Sequence, residues 1–341
     1  MHEQQWNRRR ALTLGGRAAA AVALTPFLAG ARAANASAPR RFDIAGAVRP
    51  LLWNTTIRPG SVIQSFGFDD LRGHLYFAQL LEEIDAAPAG RLRVTKTDLA
   101  GNVLGGMVLR DRRGVGWGHG MSIAVESTPG DLRLWVEVDG AVRTDGLDCT
   151  GRALARIPFA DGATFTPESA VIEKHWLVRG ATDVTCALDP AGNRLVQRYV
   201  LAGRARYAVY SLDDVIARSY HPVAWFTEPP LPTFPGSIRA APGASGVVEV
   251  QGYAPYDRHM YILAANARDE AYLTAVDLTT GRVVQRRSLD SGPSASFPHV
   301  HRKAEGMAIQ RAGDSARLCY GFAGGDRGAR TTTISYLDSL V

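Results

Sequence analysis

The feature that most limits what this chain can become is a pattern that returns five times. A polar residue and a small or turn-permitting residue lead into a short apolar run, then a turn, then a second apolar run. It is clearest at Gly118-His119-Gly120-Met121-Ser122-Ile123-Ala124-Val125, followed by Leu132-Arg133-Leu134-Trp135-Val136-Glu137. It recurs at Gln64, Val184, Gln251 and Glu305, with steps between equivalent positions of about 55, 65, 67 and 54 residues. Short strands repeating at such a period indicate a radial β repeat, in which each unit buries its faces only against its neighbours.

Further strand patterns fill out the units. Gly90–Leu99 alternates, turns at Ala100-Gly101-Asn102 and continues as Val103–Leu109, which predicts a hairpin. Tyr272–Leu278, Thr279-Thr280-Gly281 and Arg282–Arg286 repeat that hairpin in the fourth unit. Third strands are expected at Ala153–Phe159 and Arg206–Leu212, and a last one at Thr331–Leu337. The prediction is an all-β five-bladed β-propeller with four-stranded antiparallel blades, one domain over residues 42–341. The N-terminal segment Phe42–Trp53 is expected to complete the last blade, closing the ring and removing its free edges. Only Asp213–Arg218 reads as a helical turn. The proline-rich Glu228–Pro235 reads as a stiff surface loop without a sheet partner.

The N-terminus carries a transport pattern. Asn7-Arg8-Arg9-Arg10-Ala11-Leu12-Thr13 is close to a twin-arginine motif, Ala18–Leu28 is a small-residue apolar run, and Ala31-Arg32-Ala33 fits a signal-peptidase site. Residues 1–33 are therefore expected to be removed during export of the folded protein, with 34–41 as a flexible lead. Of the formal net charge of +6, about +4 lies in that leader, which weakens any nucleic-acid reading. No other segment is long and apolar enough to span a membrane. Three cysteines cannot all pair with one another. Cys186 and Cys319 sit in apolar runs as expected buried thiols, and a Cys149–Cys186 bridge is the alternative.

In a propeller the inner strand of each blade lines a central channel, so residues leading into those strands converge on one mouth. Here they are Gln64, His119, Asp183 with Val184, Gln251 and Glu305. Amides, an imidazole and a carboxylate suit a hydroxyl-rich ligand that needs many directed hydrogen bonds; equally, such groups satisfy strand ends and channel water. His119 and Glu305 are the candidate acid–base pair, and Gln64, Trp117, Asp183, Gln251 and Tyr253 the candidate ligand contacts. His175-Trp176 and Trp225-Phe226 are possible sugar-stacking platforms. His299 and His301 share a strand face but lack a third ligand at a recognised spacing, so no metal site is assigned and no cofactor is expected. Gly114–Gly118 precedes a strand rather than a helix, which excludes a dinucleotide cradle. No serine sits in a Gly-x-Ser-x-Gly elbow.

With the repeats in register, Gln64-Ser65-Phe66-Gly67-Phe68-Asp69, Gly118-His119-Gly120, Thr185-Cys186-Ala187-Leu188-Asp189, Gln251-Gly252-Tyr253 and Glu305-Gly306-Met307-Ala308 resemble the secreted actinobacterial teichoic acid biosynthesis protein C family. That group is in turn similar to phage receptor-binding and helveticin-type β-propeller domains. The resemblance runs from about Phe42 to Leu337. It implies a five-bladed propeller acting on or binding bacterial surface glycopolymers, and transfers no catalytic residue. Val184 departs from the polar residue of the other units. Three functions follow: recognition of an extracellular polysaccharide or cell-wall glycopolymer by a monomeric, secreted propeller, cleavage of such a polymer by hydrolysis or elimination in the same funnel, or protein interaction on a loop face.

Overall fold

A computed structural model of the protein describes residues 40–81, 91–110, 116–142, 149–232, 248–266, 271–289, 302–313, 315–326 and 328–341. Five antiparallel sheets form the blades of a propeller, as the repeat predicts. Blade 1 comprises Ile63–Asp69, His74–Leu80, Leu92–Asp98 and Val103–Leu109, and blade 2 Ile123–Ser127, Leu132–Val138, Ala153–Pro158 and Glu173–His175. Blade 3 comprises Thr182–Asp189, Arg194–Leu201, Arg204–Ser211 and Ala224–Thr227, and blade 4 Glu249–Tyr256, His259–Ala265, Ala271–Asp277 and Val283–Leu289. Blade 5 is built from Arg302–Ala312, Ser315–Gly324 and Thr331–Leu337, and its outermost strand is Arg49–Thr55 from the other end of the chain. The first strand of each of blades 1 to 4, and Arg302–Ala312 in blade 5, faces the centre, and these five pack round the ring.

The predicted N-terminal closure is present, beginning at Arg49 rather than Phe42. The residues before it do a second job. Phe42 bridges to Leu340, and Arg41 and Val341 exchange both backbone hydrogen bonds, at 3.0 and 2.9 Å. Phe42 is fully buried, with its ring 4.8 Å from Tyr256 and 5.5 Å from Tyr261. The terminus thus fills the wedge between blades 4 and 5 before it closes blade 5. Residues 1–33 and the first part of the lead, to residue 39, lie outside the described residues.

The blades alternate with five large clusters of buried apolar side chains, one in each interface between neighbours. Successive side chains on a strand point to opposite faces, and in a blade both faces are interfaces. In His259–Ala265, Tyr261, Leu263 and Ala265 join the blade 4–5 cluster while Met260 and Ile262 join the blade 3–4 cluster. Such strands therefore read as continuous apolar runs with no solvent face, and every residue of His259–Ala265 is buried.

The matching outer hairpins of blades 1 and 4 share one turn chemistry. Asp98 accepts from the Ala100 and Asn102 backbone N–H at 3.0 and 2.9 Å, and Asp277 accepts from Thr279 and Thr280 at 3.0 and 2.8 Å. Gly101 and Gly281 follow at φ 87° and 71°, where a side chain would be strained. Three features depart from expectation. Thr164–Phe165 adds a two-residue parallel strand outside Val103–Leu109. The helical turn is Leu212–Ile216, capped by Ser211. Glu228, expected in an unpartnered loop, continues blade 3 instead: its N–H reaches Ala205 O at 3.0 Å, and its carboxylate holds Arg198 and Tyr207.

Cys149, Cys186 and Cys319 are all buried, and no disulfide joins any two of them. Burial raises the Cys186 and Cys319 thiols well above their ordinary values, so both are poor nucleophiles. His74 and His259 open the second strands of blades 1 and 4, immediately after the turns. No helix among the described residues is long and apolar enough to cross a membrane.

Candidate functional site

The recurring polar position has a structural identity that the repeat alone did not reveal: it is a break in strand register. Ile63 pairs with Gln79 and Ser65 with Ala78, so Gln64 is an extra residue in its strand. Gln251 is extra between Val250 and Gly252 in the same way. Register also slips between Ala304 and Met307, across Glu305-Gly306, and between Thr182 and Thr185, across Asp183-Val184. Asp183 and Gly306 take positive φ, 50° and 79°. Blade 2 makes the equivalent break before its inner strand starts, with Gly118 and Gly120 at φ 64° and 81° on either side of His119. A bulge re-aims one side chain and leaves its backbone groups outside the ladder, which is why bulges collect beside functional sites.

The residue following each break ties its blade to a neighbour. Ser65 Oγ donates to Gly120 O at 2.7 Å, and Ser122 Oγ accepts from Cys186 N at 3.1 Å. Thr185 Oγ1 meets Tyr253 Oη at 3.2 Å. Between blades 4 and 5, and between 5 and 1, backbones approach so closely that only glycine fits. A Cβ on Gly252 would lie 2.7 Å from Met307 N, and one on Gly306 would lie 2.8 Å from Ser65 Cα.

His119 is held by a residue the sequence did not single out. Glu137, on the second strand of blade 2 and 1% exposed, accepts from the backbone N–H of His119 at 3.3 Å and of Ser122 at 3.2 Å. Gly118 is obligatory beside it, because a Cβ there would collide with the Glu137 carboxylate. Glu305 is 2% exposed, and its Oε1 lies 2.9 Å from Lys303 Nζ, a half-exposed side chain also missed in the sequence. Burial raises the Glu305 carboxyl above the usual carboxylate range, while the Lys303 and His119 charges pull it down without cancelling the effect. Gln64 is 1% exposed, and its Nε2 is buried without a hydrogen-bond partner among the described residues.

The raised Glu305 carboxyl has a measurable consequence. Between its unfolded and folded pKa the native chain keeps a proton the unfolded chain has lost, so stability falls as pH rises through that window. Glu305→Gln is expected to flatten this decline, which starts near the ordinary glutamate value of about 4.3. Melting temperatures measured upward from that pH check it; parallel curves for the two proteins would count against a buried, reluctant carboxylate.

The other candidates are placed differently. Gln251 is buried at its bulge, and Asp183 is half-buried with Thr182 Oγ1 at 3.3 Å. Tyr253 borders the central channel, but its hydroxyl is used up within the blade 3–4 interface. It accepts from Arg198 N at 2.9 Å and donates to Val196 O at 3.2 Å. Trp117 is fully buried in the core between blades 1 and 2. Of the proposed stacking platforms, His175 and Phe226 are buried while Trp176, just past the outer strand of blade 2, and Trp225, on the outer strand of blade 3, are exposed away from the channel. His299 and His301 lie outside the described residues.

Below the bulges a cavity of about 300 Å³ runs down the axis. It begins at Ser65, Ser122, Tyr253 and Met307, just past the breaks, and ends near Asp189 and Arg311. Arg311 Nη2 sits 3.3 Å from Asp189 Oδ1 at that end, where the exposed Leu71 also lines the cavity. Of the candidates only Tyr253 lines this cavity; Gln64, His119, Gln251 and Glu305 are buried and do not line it.

Comparison with known proteins supports the architecture. No family model matches the chain. It is 22% identical over 303 residues to a Bacillus subtilis (strain 168) protein that carries the name major teichoic acid biosynthesis protein C, an alignment covering 86% of this chain. The chain spans 63% of that relative's length. Among solved structures, the tail fibre of Staphylococcus aureus phage P68 superposes with a TM-score of 0.62 at 17% identity. That match covers 86% of this chain and 53% of the fibre chain. Sequence and structure comparisons therefore meet the resemblance read from the repeats, and the fold is a five-bladed β-propeller.

Proposed function

We propose that the chain is an exported propeller that recognises a carbohydrate or cell-wall glycopolymer at the channel mouth formed by Gln64, His119, Gln251 and Glu305. The observation that carries this reading is the set of register breaks. Inner strands of separate blades each leave the ladder at the same level to present a side chain, and the Gln64 amide nitrogen there has donor capacity to spare. Buried polar groups without partners are costly in a finished fold, and a ligand hydroxyl offers what they lack. The name of the Bacillus subtilis relative points to the same polymer class. The twin-arginine pattern of residues 7–13 supports delivery to the cell exterior.

Cleavage at the same mouth is the second reading, favoured by the reluctant Glu305 carboxyl within electrostatic reach of His119. A glycoside hydrolase needs a second carboxylate free to act as base or nucleophile. Glu137, the buried carboxylate nearest His119 in the hydrogen-bond network, has both oxygens engaged by backbone N–H groups. Recognition is therefore the stronger reading. Glycan-array binding with time-course product analysis separates the two, using the chain without its leader and His119→Ala. Binding without new reducing or unsaturated ends, weakened at least tenfold in the variant, is expected. New ends that vanish in the variant would establish the enzyme. Neither binding nor turnover on any bacterial or plant polymer would sink both readings.

A further inference from the structure

The face that carries the mouth also carries a group of arginines that the fold leaves without counter-charge. Arg58 lies in the connection between the closing strand Arg49–Thr55 and the inner strand of blade 1. Gln79 Nε2 ties that connection down by donating to Ser61 O at 3.1 Å, with Arg58 O 3.5 Å away. Gln79 pairs across the sheet with Arg93. Arg330, in the turn before the last strand of blade 5, approaches the same connection through its N–H, 3.5 Å from Pro59 O. Gln79 and the Arg58–Ser61 backbone thus bring Arg58 and Arg93 together at the junction of blades 5 and 1, with the Arg330 backbone adjoining them and its Nη1 donating to Gly325 O at 2.6 Å.

All three are half-buried, and among the described residues none has a carboxylate within ion-pair distance. The Nε atoms of Arg58 and Arg330 are buried with no hydrogen-bond partner. Arg93 loses its proton more readily than an ordinary arginine, through desolvation and the repulsion of Arg58 beside it. Three other part-buried arginines are neutralised in place: Arg72 meets Asp69, Arg156 meets Glu126, and Arg198 meets Glu228. Like charges held partly out of water are unfavourable unless something neutralises them. Guanidinium forks match the paired oxygens of phosphate and carboxylate groups.

We propose that Arg58, Arg93 and Arg330 form an oxyanion-binding subsite that takes a phosphodiester or carboxylate group carried by a polymer. Ile63 pairs with Gln79 and Gln79 with Arg93, so Arg93 stands two strands out from the residue preceding Gln64. At roughly 4.8 Å per strand, the backbones of Arg93 and Ile63 are about 10 Å apart. A chain of repeating units crossing the mouth reaches both places. Anion binding here stands on these residues alone, while its use by a polymer rests on the function proposed above.

The test is calorimetric titration of the chain without its leader with inorganic phosphate, glycerol phosphate and galacturonate. Arg58→Gln, Arg93→Gln, Arg93→Lys and His119→Ala are run alongside the parent. The parent is expected to bind at least one anion saturably, more weakly as salt rises, with a matching rise in melting temperature. Arg58→Gln and Arg93→Gln are expected to lose at least tenfold in affinity, and Arg93→Lys to recover part of it. Their anion-free melting temperatures should not fall, because each removes a repulsion. Binding of the phosphates alone assigns a phosphodiester, and of galacturonate alone a uronate. No binding of any anion, or equal binding by parent and glutamine variants, overturns the subsite. His119→Ala should keep its anion affinity. Loss of glycan binding in the array with anion binding intact would fault the mouth and spare the subsite.

Discussion

Gly306→Ala is expected to destabilise the propeller by about 2–5 kcal/mol, read as a fall in the urea midpoint. Two costs combine. Gly306 sits at φ 79°, where a side chain costs roughly 1–2 kcal/mol. Its Cβ would also lie 2.8 Å from Ser65 Cα and 3.1 Å from Phe66 Cδ1, in the tightest part of the blade 5–1 seam. Overpacking there adds about 1–3 kcal/mol, because neither strand can yield without moving its blade. Gly313→Ala separates the terms. It has a comparable φ of 62° with nothing within 4 Å, so only the backbone cost of about 1–2 kcal/mol applies. Equal midpoints for the two variants would show that the seam is looser than its geometry.

Glu228→Gln is expected to cost about 3–5 kcal/mol, the usual penalty for stranding a buried charge. Arg198 Nε and Nη2 lie 2.5 and 3.1 Å from the two Glu228 oxygens, and Tyr207 Oη donates to Oε2 at 3.0 Å. Neither charged side chain has much water in reach, at 16% and 11% exposure. The glutamine keeps the shape but leaves the guanidinium without an anion. The double change Arg198→Met with Glu228→Leu is expected to cost less than the single one, since both charges then disappear together. Urea unfolding of the three variants checks the order, and a double variant worse than Glu228→Gln would contradict it.

The architecture was legible because the repeat records two backbone requirements at once. Each inner strand needs a polar residue where it leaves the ladder, and a small or hydroxyl-bearing residue where it meets the next blade. Gln64-Ser65, Gln251-Gly252 and Glu305-Gly306 satisfy both in adjacent positions, so the register shows even though the apolar runs differ. The outer hairpins were legible through Asp98 and Asp277, whose carboxylates cap their own turns. What stayed hidden depends on contacts across strands or between blades. Glu137 holds His119 from a strand 18 residues on in the chain, and nothing local marks it as more than a strand residue. Tyr253 has the right address but spends its hydroxyl on Arg198 and Val196 of the next blade. Trp117 adjoins His119 in sequence, yet the left-handed turn at Gly118 sends it into the core. Glu228 was masked by the prolines after it. The cluster of Arg58, Arg93 and Arg330 exists only once the N-terminal strand has closed blade 5 and the connection through Arg58 has crossed to blade 1.

Two ends of the axial channel compete as the place of recognition, and one comparison decides between them. The affinity of the best glycan ligand is measured for the parent, for Gln64→Ala and His119→Ala at the proposed mouth, and for Arg311→Gln at the far end. If the register breaks present the ligand-binding side chains, the first two lose at least tenfold and Arg311→Gln binds as the parent does. Loss confined to Arg311→Gln, with Gln64→Ala and His119→Ala unchanged, would move the site to the Asp189 end and contradict the account.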